Sequence, residues 1–262
     1  MGSRERVYRT EAIVLRRTDF GEADRLLTVF TPERGKIKLI AKGARKPASR
    51  KSGHVELFSI GQYLVAVGRD LDLITQAETL EPFRPLREDL LRTTYAYYVA
   101  ELADGFTAER DENRPVFDLL KAVLGWLCTA PDLQLVARYY ELHLLGLVGF
   151  QPQLFVCSGC QESLAPEVNY LSVADGSVRC ARCGRDQAGA TELSVNALKV
   201  MRFLQTRDWD ACRLLRLTGA THAEVEQATN RYLTYHLERR LRSLEFLQQL
   251  RREMAASERE PR

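Results

Sequence analysis

A chain of 262 residues that is 45% apolar and 28% charged carries enough core-forming side chains for one large or two modest domains, which excludes a disordered segment. Its longest aliphatic run, Leu144 to Val148 interrupted by Gly146, is far too short to span a bilayer, so no membrane partner is expected. The net charge of +3 is unevenly placed: residues 1 to 80 hold fifteen Lys or Arg against ten Asp or Glu, net +5, and the remainder is net −2. With a charged start from Arg4 and no apolar leader, the sequence reads as cytoplasmic.

In chain order, residues 12–15, 26–31, 37–41, 62–67 and 71–79 are rich in Val, Ile, Leu, Thr and aromatics and are separated by Gly, Asp and Pro, the pattern of short strands. Five strands suit a small barrel of the oligonucleotide-binding (OB) type, and the count also admits an SH3-like one. From Arg34 to Lys51, eight of eighteen positions are Lys or Arg and none is Asp or Glu. The run starts as Lys36-Ile37-Lys38-Leu39, which in a strand sets both lysines on one face and both apolar side chains on the other. It continues through Lys42, Arg45, Lys46, Arg50 and Lys51 among Gly43, Pro47, Ser49, Ser52 and Gly53, a turn-rich loop suited to a phosphate backbone, where each neutralised phosphate releases counterions. Tyr8, Phe20, Phe30, Phe58 and Tyr63 lie in the same region. Most rings of so small a barrel belong to its core, and Phe20, which opens a polar turn, is the exception expected to reach solvent.

After Pro82 and Pro85 the periodicity becomes helical, with helices predicted over 86–106, 115–128 and 132–148, the last capped by Asp132. Ser194 is read as the cap of a helix through Leu204, and Thr221-x-x-Glu224 as a capping box opening one long final helix, whose Leu233, Leu237, Leu241, Leu244 and Leu247 form an apolar stripe. The expected organisation is α+β: a five-stranded OB barrel over residues 1–81, then a helical domain over 82–262.

Within the helical part, Cys157-x-x-Cys160 and Cys180-x-x-Cys183 stand nineteen residues apart, a module of about residues 154–188. Each pair lets two thiolates turn toward one ion, and Asp175-Gly176 supplies a hairpin turn that folds one pair onto the other. Four thiolates imply a structural, tetrahedral zinc with no open position; disulfides and an iron–sulfur cluster are the alternatives. Cys128 and Cys212 are read as small buried apolar residues. No phosphate loop, dinucleotide fingerprint, nucleophile elbow or His-Glu-x-x-His is present, and His54, His143, His222 and His236 are scattered, so no catalytic residues are assigned and the protein is not expected to be an enzyme.

The segments Glu11–Leu15, Gly21–Thr31, Gly35-Lys36 and Ala41–Lys46, followed by Tyr140–Leu145, Gly149–Pro152 and the cysteine pairs, resemble in order and spacing the RecO family of bacterial DNA repair and recombination mediators. The resemblance implies an OB barrel followed by a helical domain. It further implies binding of single- and double-stranded DNA, annealing of complementary strands and, with RecR and the C-terminal tail of single-strand-binding protein as partners, indirect delivery of RecA to DNA in the nucleoid. It places DNA contacts on Lys36, Lys38, Lys42, Arg45, Lys46, Arg50 and Lys51, with Arg16, Arg17 and Arg25 as weaker candidates. A zinc-containing nucleic-acid-binding docking or transcription factor is the alternative, and the adenylation motif Lys-x-Asp-Gly of a DNA ligase is missing.

Overall fold

The computed structural model describes residues 6–257; Arg4 and the final residues of the predicted last helix lie outside that range. Strands β1 (Val7–Phe20), β2 (Asp24–Thr31), β3 (Gly35–Ala41), β4 (Ile60–Ala66) and β5 (Asp72–Glu81) close into a barrel of order β1-β2-β3-β5-β4, antiparallel except for β3 beside β5. This is the five-stranded OB arrangement. The first strand is fourteen residues long, because Val7 to Ile13 pair with β4 while Ile13 to Phe20 pair with β2, the latter with a register shift between Val14 and Arg16. Inward-facing Ala12, Val14, Leu27, Val29, Ile37, Leu39, Tyr63, Val65 and Ile74 fill the barrel.

By compactness the chain divides into Met1–Thr129 with Ser243–Arg262, and Ala130–Arg242. In the first unit, α1 (Pro85–Glu88), α2 (Leu90–Phe106), α3 (Arg114–Thr129) and α9 (Arg242–Ser257) accompany the barrel. The rings of Phe30 and Phe117 lie 6.3 Å apart, and those of Phe58 and Tyr97 meet edge-on at 4.9 Å, so α3 and α2 cover outward apolar residues of the barrel. The helix predicted over 86–106 is interrupted: Asp89 is extended, and its carboxylate accepts from Arg92 N–H to cap α2.

The second unit centres on α4 (Leu133–Leu147), capped by Asp132 as predicted and buried on most of its surface. Around it stand α6 (Val195–Thr206), α7 (Trp209–Cys212) and α8 (Gly219–Leu237), with a small sheet of β6 (Asn169–Ser172), β7 (Ser177–Arg179) and β8 (Thr191–Leu193), in which β6 is central, and the short α5 (Ala181–Gly184). Arg138 of α4 is 1% exposed and holds Glu141 at 2.7 Å and Glu226 of α8 at 3.7 Å, a buried charge cluster joining the two helices. The capping box expected at Thr221 is not formed. Thr218 caps α8 by accepting from Thr221 N–H, and Glu224 instead accepts from the Ser194 N–H and hydroxyl, each at 2.6 Å, bracing the cap of α6. The single final helix is also two. Glu238 takes a left-handed conformation with φ 52°, ending α8, and the leucine stripe is divided: Leu233 and Leu237 lie on α8, Leu241 in the connection, and Leu244 and Leu247 on α9.

The lysines of β3 occupy one face as expected, but only one reaches solvent. Lys36 is buried, and its ammonium donates to the carbonyls of Asp104 at 2.5 Å and Thr107 at 2.7 Å and lies 3.1 Å from the Asp104 carboxylate. Lys36→Met would leave that carboxylate buried opposite an apolar side chain. It should cost about 3 kcal/mol in urea unfolding, the scale for breaking a buried pair, whereas Lys42→Met should stay within about 0.5 kcal/mol.

Candidate nucleic-acid interface and metal centre

The basic segment begins on β3 and continues into the loop that follows it. Three contacts pin the loop onto the β1–β2 turn: Gly43 N–H donates to the Asp24 carboxylate at 2.7 Å, Arg45 N–H to the Ala23 carbonyl at 2.9 Å, and the Arg45 guanidinium to the Glu22 carbonyl at 3.3 Å. Gly43 adopts φ +66°, which suits a residue without a side chain at this bend. Between turn and loop runs an open groove lined by Glu22, Asp24, Lys42, Arg45, Lys46 and Pro47.

The ten cations singled out in the sequence fall into distinct environments. Lys42, Lys46 and Arg50 are exposed and make no ion pair among the described residues. Arg45 is 38% exposed and lies 3.4 Å from Asp19, and Arg16 is 60% exposed and 3.4 Å from Asp104, so both keep much of their surface in water. Lys38 pairs with Glu109 at 2.5 Å, which holds the Glu109 carboxyl below its usual range. Arg17 and Arg25 share Glu56, at 2.6 and 3.3 Å. Lys51 donates to the Ile74 carbonyl at 2.9 Å. Lys36 is the clear departure from the sequence reading: three acceptors meet its three donors, leaving none for a phosphate. Its neutralising partner lies 68 residues on, beyond the reach of a local charge count. The rings of Tyr8, Phe30, Phe58 and Tyr63 are buried, and Phe20 is 44% exposed.

In the second unit the four cysteines converge. Their sulfurs all lie within 4.8 Å of one another, with Cys160 and Cys180 3.9 Å apart. A tetrahedral ion bonded to sulfur at about 2.3 Å needs sulfurs about 3.8 Å apart, so the set fits a metal with modest contraction. The knuckle is shaped by β6 and β7, whose turn contains Gly176 at φ +62°. A Cβ on Gly159 would fall 2.9 Å from Cys183 Cβ and 3.1 Å from its sulfur, so the first Cys-x-x-Cys turn can enclose an ion only with glycine there. Burial acts to raise the Cys157 thiol, but N–H groups, including those of Cys180 and Gly159 at 3.3 and 3.4 Å, outweigh it and bring it down to about 6. The neighbouring thiols, Cys180 first, push Cys183 up to about 11. Arg182, beside Cys160 and Cys183, has its guanidinium favoured by them and provides positive charge against an anionic four-thiolate site. These residues could hold a metal ion, and a fully protein-liganded ion would brace the fold.

Neither Gly159 nor Glu56 stands out in the sequence, since a glycine between two cysteines and an isolated acid are ordinary. Cys212 is buried as read, and Cys128 is partly buried. No described helix is long and apolar enough to cross a membrane.

The chain is matched over residues 5–83 by a family model described as Recombination protein O N terminal, and over 87–245 by one described as Recombination protein O C terminal. A DNA repair protein RecO of Roseiflexus sp. (strain RS-1) is 42% identical over 254 residues, covering 97% of this chain and 89% of the relative. Proteins of the same name from Pelotomaculum thermopropionicum and Dehalococcoides mccartyi are 40% and 36% identical over 92% and 94% of this chain, and over 94% and 96% of their own lengths. Matched almost end to end in this way, a closed five-stranded barrel with a basic loop and a helical unit with a four-cysteine knuckle make the chain a member of the RecO family.

Proposed function

We propose that this protein is a DNA repair and recombination mediator. It binds single- and double-stranded DNA without strong sequence preference, anneals complementary strands, and helps load recombinase onto DNA coated with single-strand-binding protein. The observation that carries the reading is the exposed set Lys42, Lys46 and Arg50, with Arg45 beside them, on a loop held rigidly to the barrel. Cations without acidic partners can exchange counterions for phosphates, and they do so on any sequence. Arg16 and Lys38 flank this contact, Arg17, Arg25 and Lys51 support it, and Lys36 is left out of it. The four cysteines hold a structural zinc, and the work requires no catalytic residue. RecR, the tail of single-strand-binding protein and, indirectly, RecA are the partners, in the cytoplasm at the nucleoid.

Changing Lys42, Arg45 and Lys46 together to Ala should weaken DNA binding uniformly across sequences and flatten the slope of log K against log salt by about 2 to 3, near one for each phosphate left unneutralised. Fluorescence anisotropy titrations over a salt series measure this. An unchanged slope in a folded variant returns the loop to solvent. A preference of several kcal/mol for one sequence favours the transcription-factor reading instead.

Cys157→Ser should release zinc and lower the thermal stability of the second unit, because a metal held only by the folded site adds its binding free energy to folding. Elemental analysis should find one zinc per chain in the parent and less in the variant; iron in its place would reject the assignment.

Annealing of two complementary oligonucleotides, naked or coated with single-strand-binding protein, should be accelerated by the protein, be indifferent to ATP, and slow as salt rises, since neutralised strands repel less. Fluorescence quenching follows the rate, and no response at saturating protein removes the mediator reading.

A further inference from the structure

The four barrel rings Tyr8, Phe30, Phe58 and Tyr63 are 8%, 0%, 1% and 0% exposed, whereas Phe20, at the end of β1, is 44% exposed. Its placement relative to the basic loop follows from strand register. Phe20 pairs with Asp24 across β1 and β2, so the two share a face. The β2–β3 ladder ends with Arg25 opposite Ala41, and one further step brings Asp24 to Lys42. The bond from Gly43 N–H to the Asp24 carboxylate, 2.7 Å, holds the loop at that point. Phe20, Asp24 and Lys42 therefore stand in a row, one strand apart, with aromatic and cation about 10 Å from each other by the usual inter-strand spacing. The tip beyond Phe20 is open: Gly21 is at φ +54° and has no neighbouring atom within 4 Å of where a Cβ would stand.

We infer that Phe20 is a stacking platform for one unpaired base whose neighbouring phosphates meet Lys42 and Lys46, so that this edge of the barrel engages single strands more closely than duplex. The inference rests on reading the basic loop as a DNA contact and adds a substrate preference to it. A phenyl ring accepts the π-face of any base, which gives affinity without a sequence code, and the row sets the ring within a nucleotide's reach of a cation. In a duplex the bases are already stacked within the helix, and only phosphates are offered to this edge. The hairpin is held by the backbone bond from Arg45 N–H to the Ala23 carbonyl at 2.9 Å, so the ring is presented by a fixed support.

The test titrates the full-length protein, its Phe20→Ala and Phe20→Trp variants and the triple Lys42, Arg45, Lys46 to Ala variant against three probes at one salt concentration: oligothymidylate, an abasic strand of equal length, and a duplex. Phe20→Ala should weaken oligothymidylate binding by about fivefold or more, and change abasic and duplex binding by less than about twofold. Phe20→Trp should restore the affinity, and its added fluorescence over the parent's two tryptophans should be quenched by oligothymidylate and not by the abasic strand. Unchanged oligothymidylate affinity in Phe20→Ala, equal losses on all three probes, or equal quenching by both strands would each overturn the inference. The triple variant tests the underlying reading separately: if it binds all three probes like the parent, the loop is not a DNA contact, whereas failure of the Phe20 inference alone leaves its weakened binding in place.

Discussion

Closure of the barrel between β3 and β5 is the constraint on which the rest of the first unit depends. The two strands pair only at Leu39 with Asp72 and Ile40 with Leu73, which leaves the first half of β3 with an open edge. The chain after α2 fills it: Lys36 bridges to Glu109, and its carbonyl accepts from Arg110 N–H at 2.9 Å. Gly35 permits this approach, since a Cβ there would sit 1.8 Å from the Asp111 carbonyl oxygen. The Lys36 ammonium then takes up carbonyls at the end of α2, groups that a helix C-terminus otherwise leaves unpaired. The segment that follows α2 is therefore part of the barrel wall, which is why α1 to α3 belong with the strands although they are helical.

The same closure sorts the charge. A single cation-rich segment of the sequence becomes in space an internal clamp at Lys36, a neutralised position at Lys38, a lysine hydrogen-bonded to a backbone carbonyl at Lys51, and, among the described residues, a set without ion pairs at Lys42, Lys46 and Arg50. Beyond about 8 Å in physiological salt, exposed charges are largely screened from one another, so what a polyanion meets is the local set rather than the chain's net charge. Pinning adds a second property. A loop already held by Asp24 and Ala23 loses less conformational entropy on binding than a free one, so its cations act as a prepared surface.

The cysteine knuckle addresses a different difficulty. Strands β6, β7 and β8 have only three or four residues each and bury few apolar side chains, chiefly Leu171, Val178 and Leu193. Sheets that short are marginal without support. Four sulfurs drawn together could hold a metal ion that would brace this sheet, and next to them Tyr170 packs against Gly184, with no room for a side chain on that glycine. The buried Arg138 cluster joins α4 to α8 by charge and hydrogen bonds, and breaking any member would strand its partners away from water.

Much of this architecture was legible in local pattern. The alternation of Lys36 to Leu39 in β3, the caps at Asp132 and Ser194, the turn at Asp175-Gly176 and the two Cys-x-x-Cys pairs each report on residues a few positions apart, and local sterics and hydrogen bonding decide such features wherever the segment is placed. The composition of the basic run likewise placed a cluster of cations on and after β3. Tertiary structure alone decided which of those cations are available. The partners of Lys36 and Lys38 come from residues 104 to 109, Glu56 is shared between two arginines distant from it in sequence, and Glu224 serves Ser194 rather than its own helix. It also decided that the last leucine stripe would be divided at Glu238. Charge compensation and helix termination are settled by whichever groups folding brings within about 4 Å, and separation along the chain carries no information about that distance.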